Sequence, residues 1–163
     1  WPIARMPVGE LFAGGALGLV LLVLSVYVQS RTIDLSTLAL GLPSTLLIAA
    51  ILAANNACDR IGDARAGRRT LAIVVGERGA VWVVEGLVAG GFACALGLVA
   101  IGVLPGFAAL PLAAAALLAL KLLAGMRARG YAHRSKGANM GGISAIFMAF
   151  TASMVLSLLV QLY

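Results

Sequence analysis

The sequence has little charge and few residues that form disulfides or metal clusters. Only 11% of its 163 residues are charged, whereas 62% are hydrophobic. A soluble domain has about one quarter charged residues, so a soluble globular fold is excluded. Two cysteines, Cys58 and Cys94, give no disulfide framework. A single histidine, His133, excludes both a histidine-based metal cluster and a Ser-His-Asp triad.

What the sequence does contain is a series of long apolar segments. A helix that spans a membrane needs about 20 apolar residues, and the mean hydropathy of the chain is +1.05. Leucine and alanine favour helices, and the segments lack the two-residue alternation of strands. We therefore predict an all-α, polytopic membrane protein with one helical domain over residues 1–163. Its five transmembrane helices are expected at about 9–29, 36–57, 80–104, 107–125 and 140–162.

The positive charges predict how these helices lie in the membrane. Counted over alternating connections, eleven of the twelve lysines and arginines fall on one face, and only Arg31 falls on the other. The positive-inside rule makes the first face cytoplasmic. We expect a multi-pass protein of the cell membrane, with the N-terminus and a motif loop at 58–79 in the cytoplasm. The lipid bilayer accounts for the basic excess, so no nucleic-acid partner is predicted.

Several residues inside the helices are interpreted as packing or anchoring residues. Gly14, Gly15 and Gly18 are small enough for two helix backbones to approach closely in lipid. Glu85 lies near the start of the third apolar segment and is expected to have a structural partner or to reach the interface. Cys58 has no histidine partner beside it in the sequence and is interpreted as a packing residue.

One stretch, residues 55–72, carries chemistry. Asn55, Asp59 and Asp63 are spaced by four, so on a helix their side chains rise along one face. Two carboxylates and an amide oxygen suit Mg²⁺, which completes its coordination with water and substrate phosphate. Guanidinium groups suit phosphate, and the nearby arginines are Arg60, Arg65, Arg68 and Arg69. The alternative is an interfacial loop whose acids are neutralised by these arginines.

The same stretch resembles a known family. Its pattern is Asn-Asn-x-x-Asp-x-x-x-Asp-x-x-x-Gly-Arg-Arg-Thr-Leu-Ala, which is similar to the second aspartate-rich motif of the UbiA superfamily of intramembrane prenyltransferases. The Asn-Asn start and the Arg-Thr-Leu-Ala end look most like the menaquinone branch, the 1,4-dihydroxy-2-naphthoate polyprenyltransferases. Residues 7–14, Pro-Val-Gly-Glu-Leu-Phe-Ala-Gly, resemble the fifth helix of that branch. The resemblance extends from Pro7 to about Gly79.

The resemblance implies an architecture. Members have nine helices, and aspartate-rich motifs after helices two and six face a central cavity at the cytoplasmic side. The five helices here would correspond to helices five to nine, the C-terminal part of the bundle. The first motif has no counterpart in this sequence, which begins at Trp1 and not at Met. We therefore expect the N-terminal half, in the same polypeptide or in another chain, to be needed for activity.

The resemblance also implies an activity and roles. The reaction is Mg²⁺-dependent transfer of a polyprenyl group from prenyl diphosphate to an aromatic quinone precursor, 1,4-dihydroxy-2-naphthoate, which loses its carboxylate. Asp59 and Asp63 would be catalytic and bind Mg²⁺ together with Asn55. Glu10 would orient the aromatic acceptor. The other expected substrate-binding residues, on the diphosphate side, are Asn55, Asn56, Arg60, Arg68, Arg69 and Lys136.

The sequence has three alternative interpretations. A prenyltransferase of the same family could use a different aromatic acceptor. A CDP-alcohol phosphotransferase is also a helical membrane enzyme with an aspartate motif, but Gly62-Asp63-Ala64-Arg65 has its residue types in the wrong order. A transporter fragment or a non-catalytic membrane scaffold would leave the stripe of acids without a role. A gain in thermal stability with Mg²⁺ and a prenyl diphosphate analogue separates an enzyme from a scaffold.

Overall fold

The computed structural model describes residues 6–160, and these form a bundle of five helices without strands. Each helix is long and apolar enough to cross a membrane. The predicted all-α fold with five spanning helices is confirmed. The helices are α1 (Gly9–Ser30), α2 (Leu35–Arg65), α3 (Leu71–Ala100), α4 (Ala109–Arg129) and α5 (Lys136–Val160). Short 3-10 turns at Gly106–Ala108 and His133–Ser135 precede the last two helices.

Several predicted boundaries are wrong, and the largest errors fall at the motif. The segment 58–79 is not a loop, because α2 continues to Arg65 and α3 already begins at Leu71. Favourable polar contacts allow both helices to extend beyond their apolar segments into the interface between membrane and water. Likewise, α4 extends to Arg129 and α5 already begins at Lys136. The predicted positions 161 and 162 of the fifth helix, and Arg5 from the charge count, lie outside the described residues.

Helix α1 packs closely on α2 through two of the predicted glycines. A Cβ atom at Gly14 would lie 2.4 Å from the Thr45 carbonyl oxygen, and one at Gly18 would lie 2.5 Å from the Thr45 Cα. The close-packing interpretation is thus confirmed for Gly14 and Gly18. It is wrong for Gly15, where a Cβ would meet nothing within 4 Å. A π-helical stretch, Gly15–Val20, interrupts the α-helical geometry of α1 here.

The C-terminus of α2 folds back on itself. Gly67 has φ +72°, and the Arg68 and Gly67 amides donate to the carbonyls of Asp63 and Ala64 at 2.9 and 3.1 Å. These two bonds form the Schellman motif that ends many helices at a glycine. The chain therefore reverses within a few residues and returns Arg68 to the side of Asp63. In α3, Gly76 also has a positive φ, +73°, and marks a kink after the first turn.

The core lies between α2, α3, α4 and α5, and the ion pairs lie at one end of it. Its fully buried side chains include Leu47, Val84 and Phe150. Ion pairs link α2, α3 and the connection between α4 and α5 at the end where α2 finishes. Arg31 lies at the opposite end, where it terminates α1 with φ +60°. Among residues 6–160, the ion-paired basic side chains and Arg31 thus lie at opposite ends of the bundle, as the alternating connections predicted.

Candidate functional site

The centre of the site is Asp59, which lies on the wall of a cavity of about 540 Å³ at the charged end of α2. Its Oδ2 accepts a hydrogen bond from the Lys136 ammonium at the start of α5. Its Oδ1 lies 3.3 Å from the His133 Nδ1. Arg60 and Glu77 line the same cavity and form an ion pair of 3.1 Å. The cavity thus presents two carboxylates, Asp59 and Glu77, among basic side chains.

The connection between α4 and α5 is fixed against α2 by a buried amide. Asn139 is fully buried, and its Nδ2 donates to the Gly130 carbonyl at 3.0 Å and contacts the Cys58 sulfur at 3.7 Å. Its Oδ1 accepts from Arg129 Nε at 3.3 Å. Cys58 is 4% exposed, which confirms that it is a packing residue. This arrangement holds residues 130–136 over the Asp59 cavity.

Tyr131 forms another part of the cavity wall and is 8% exposed. Burial, reinforced by the Glu85 carboxylate, raises the pKa of Tyr131 to about 12. The phenol therefore stays neutral at physiological pH. Its hydroxyl has no hydrogen-bond partner among residues 6–160.

Asp63, one helical turn after Asp59, has a different partner. Its Oδ1 accepts from Arg68 Nη1 at 3.3 Å, and its side chain is 11% exposed while that of Arg68 is 62% exposed. The Schellman turn at Gly67 makes this contact possible, because it brings Arg68 back along α2. Arg69 follows on the exposed side of the turn.

A second polar pair lies between α1 and α2, about one helical turn before Asp59. Asn56 Nδ2 donates to Glu10 Oε1 at 2.9 Å, and both residues are buried, at 8% and 5% exposure. The neighbouring Asn55 donates weakly to Asn56 Oδ1 at 3.5 Å. Glu10 and Asn56 also line a small cavity together with Arg68 and Thr70.

The donor set fits Mg²⁺ held jointly with phosphate. Among residues 6–160, no three histidine, cysteine or acidic side chains converge into a complete cage. Mg²⁺ does not require one, because one or two carboxylates suffice when water and phosphate oxygens fill the remaining positions. Asp59, Asp63 and Asn55 lie on one helix and would be the residues to supply such a set, and the cations that pair with the two carboxylates are suited to phosphate.

The predicted site residues are thus distributed over two neighbouring places. Asp59 and Arg60 line the larger cavity, where Lys136 donates to Asp59, and Glu10, Asn56 and Arg68 line the smaller one. No sequence pattern places His133 and Tyr131 beside Asp59, since more than 70 residues separate each of them from it. The predicted structural partner of Glu85 is confirmed as Arg127, at 2.5 Å.

Comparisons with known proteins identify the family of the chain. The family model for the UbiA prenyltransferase family matches residues 1–150. The chain is also 37% identical over 101 residues to a 1,4-dihydroxy-2-naphthoate octaprenyltransferase from Bacillus subtilis (strain 168). That alignment covers 62% of this chain and 32% of the relative, so the match spans about a third of the relative's length. No solved structure gives a significant match.

The matched range includes the candidate site. The residues that carry the aspartate-rich pattern lie inside the matched range, on a helix that crosses the membrane and ends at a polar cavity. The match extends over far more than half of the sequence. The chain belongs to the UbiA prenyltransferase family.

Proposed function

We propose that this chain takes part in transferring a polyprenyl group from prenyl diphosphate to an aromatic quinone precursor, 1,4-dihydroxy-2-naphthoate, in menaquinone biosynthesis. Family membership supports prenyl transfer, and the name of the Bacillus relative supports this acceptor. The observation that carries the proposal is the position of Asp59, on the wall of a cavity lined by basic side chains at the end of a membrane helix.

The site residues suggest how the diphosphate would leave. Bound by Asp59, Asp63 and Asn55, Mg²⁺ would neutralise charge on the diphosphate oxygens. Arg60 borders the same cavity and Lys136 donates to Asp59 on its wall, so both would take up the negative charge that develops as the allylic carbon–oxygen bond breaks. Arg68 reaches Asp63 and would donate to the same group from the other side, with Arg69 beside it. The allylic cation would then be attacked by the electron-rich ring of the acceptor.

We also propose that the other half of this site comes from outside these residues. The aspartate-rich stretch supplies two carboxylates, Asp59 and Asp63. The UbiA resemblance implies another aspartate-rich motif, which has no counterpart in this sequence. In the best membrane-spanning window of α1, only 11% of the residues are buried, against 44% in α2. Its exposed apolar surface is available for lipid or for further helices. Prenyl transfer by the isolated 163-residue chain would contradict this part of the proposal.

Asparagine substitutions in the full-length protein that carries this chain test the assignment of the carboxylates. Asp59→Asn and Asp63→Asn keep the side-chain size but remove the charge that holds a cation. We expect each to lower kcat/KM for prenyl transfer by about 100- to 1,000-fold, the range for lost transition-state charge stabilisation. Product is measured by liquid chromatography and mass spectrometry in nanodiscs with a short prenyl diphosphate.

Asp34→Asn is the matched control. Asp34 caps α2 at the opposite end of the bundle, where it accepts from the Thr37 amide at 2.7 Å, and asparagine is an equally good cap. Its activity should equal that of the unsubstituted protein. Chelation of divalent ions should abolish transfer, and added Mg²⁺ should restore it. Activity retained in Asp59→Asn, or in the presence of the chelator, would refute the proposed role of this site.

A further inference from the structure

A groove of about 460 Å³ runs between α3 and α4. Most of its lining residues are small or apolar, and Leu120 at its edge is 64% exposed, so the groove opens at the surface of the bundle. Gly86 adds no side chain to it, and a Cβ atom at this position would meet nothing within 4 Å. Ligand sites in proteins have volumes of roughly 300 to 1,000 Å³. The groove is therefore large enough for an apolar ligand.

The groove begins at the charged end of the bundle and extends towards the middle of the membrane. Along α4 its lining residues run from Arg127 back to Ala116, which is about 16 Å at 1.5 Å per residue. One leaflet, half of a hydrocarbon core of about 30 Å, has nearly the same depth. Trp82 lines the mouth and is 65% exposed, and tryptophan is enriched at the interface between membrane and water. The groove thus matches one acyl chain of a lipid whose headgroup lies beside Arg127.

The mouth of the groove is positively charged. The Arg127 guanidinium pairs with Glu85 at 2.5 Å and lies over the Trp82 ring, yet its side chain remains 49% exposed. Arginine has five N–H donors, so donors remain for a phosphate. Arg78 lies one turn before Trp82 on the same face of α3, is exposed and forms no ion pair among residues 6–160. Two guanidinium groups against one carboxylate complement an anionic headgroup better than a zwitterionic one.

We propose that the groove between α3 and α4 binds an anionic phospholipid, with one acyl chain along the groove and the phosphate at Arg127 and Arg78. The inference goes beyond prenyl transfer and does not depend on it, because the groove shares no lining residue with the Asp59 cavity. A ligand that binds only the folded protein stabilises it. The thermal stability of the protein would therefore depend on the headgroup of the surrounding lipid.

Gly86→Leu fills the groove, and Gly97→Leu is its matched control. A Cβ atom meets nothing within 4 Å at either position, and Gly97 lies on the same helix outside the groove. Native mass spectrometry of the full-length protein that carries this chain measures the affinity for dioleoyl phosphatidylglycerol and for dioleoyl phosphatidylcholine. Gly86→Leu should weaken phosphatidylglycerol binding about 10-fold or more, since its side chain clashes with the acyl chain, and Gly97→Leu should leave it unchanged.

Arg127→Gln tests the headgroup contact, and Arg134→Gln controls for the loss of a positive charge at the same end of the bundle. Arg134 is exposed and lies outside the groove. We expect the unsubstituted protein to bind phosphatidylglycerol about 5- to 30-fold more tightly than phosphatidylcholine, from one or two arginine contacts. Arg127→Gln should reduce this preference about fivefold, and Arg134→Gln should not. Arg78→Gln should give the same loss and replaces Arg127→Gln if that variant does not fold.

Thermal unfolding provides a second measurement of the same site. The melting temperature of the unsubstituted protein and of Gly97→Leu should rise more with phosphatidylglycerol than with phosphatidylcholine. In Gly86→Leu the two lipids should have equal effects, because the groove that distinguishes them is filled.

Three results would overturn the proposal. The first is equal affinity of the unsubstituted protein for the two lipids, and the second is an equal loss of affinity in Gly86→Leu and Gly97→Leu. The third is displacement of phosphatidylglycerol by a short prenyl diphosphate, which would assign the groove to the substrate chain. Lipid binding is measured without either substrate of prenyl transfer, so its outcome is independent of whether the proposed function holds.

Discussion

Arg127, near the end of α4, shows how a single residue secures the charged end of the bundle. Its Nη2 pairs with Glu85 Oε2 at 2.5 Å, and its guanidinium carbon lies 4.7 Å from the centre of the Trp82 ring. Glu85 is a carboxylate on a membrane helix with a side chain only 19% exposed. Such a group is stable as an ion when a cation and hydrogen bonds replace its lost water.

Arg127→Met should therefore destabilise the protein more than the loss of an exposed arginine does. The substitution leaves the largely buried Glu85 carboxylate without a counter-charge. We expect the free energy of unfolding to fall by about 1–2 kcal/mol, a modest loss because Arg127 itself is half exposed. Thermal unfolding in detergent measures the effect, with Arg134→Met at an exposed position as the control.

A double variant distinguishes the ion pair from other contacts of Arg127. Glu85→Gln removes the charge that Arg127→Met leaves behind, so the double variant should be more stable than Arg127→Met alone. If the two substitutions are simply additive, the stabilisation comes from stacking on Trp82 and not from the pair.

At the scale of elements, the contact between α1 and α2 depends on which glycines face the neighbouring backbone. Gly18→Ala would place a methyl group 2.5 Å from the Thr45 Cα, so the helices must move apart. We expect a loss of about 1–3 kcal/mol, the usual cost of overpacking. Gly15→Ala, on the same helix with nothing within 4 Å, should be neutral. Thermal unfolding of the two variants side by side checks this, and equal melting temperatures would contradict the proposed packing.

The sequence predicted helices well where apolar content decides and poorly where polar contacts decide. The break between the predicted segments 80–104 and 107–125, and the five spans themselves, follow from hydropathy and turn chemistry alone. The extension of α2 to Arg65 does not, because charged residues there resemble a loop. Their helical state depends on partners brought by folding, such as Lys136 for Asp59 and the Gly67 turn for Asp63.

At the scale of the whole molecule, the motif could be predicted but its surroundings could not. Spacing by four placed Asn55, Asp59 and Asp63 on one helix, which the structure shows. That Lys136 and His133 meet Asp59 depends on α5 packing against α2, across more than 70 residues. Glu10 was predicted only to orient the aromatic acceptor. Its hydrogen bond with Asn56 and, within residues 6–160, its unpaired oxygen could not be predicted from the sequence, because they depend on how α1 packs on α2.

The orientation of the whole bundle gives the last prediction. The basic residues near the ends of α2 and α4 should face the cytoplasm, since the cost of moving many positive charges across the membrane fixes topology. We expect a cysteine at Ala66, in the turn after α2, to react with an impermeant maleimide only from the cytoplasmic side. A cysteine at Thr32, beside Arg31 at the other end, should react only from outside. Both Ala66→Cys and Thr32→Cys are made in a background with Cys58→Ala and Cys94→Ala, and labelling of intact cells is compared with that of inverted vesicles. The reverse pattern would place the Asp59 cavity on the outer face, where a cytoplasmic prenyl diphosphate could not reach it.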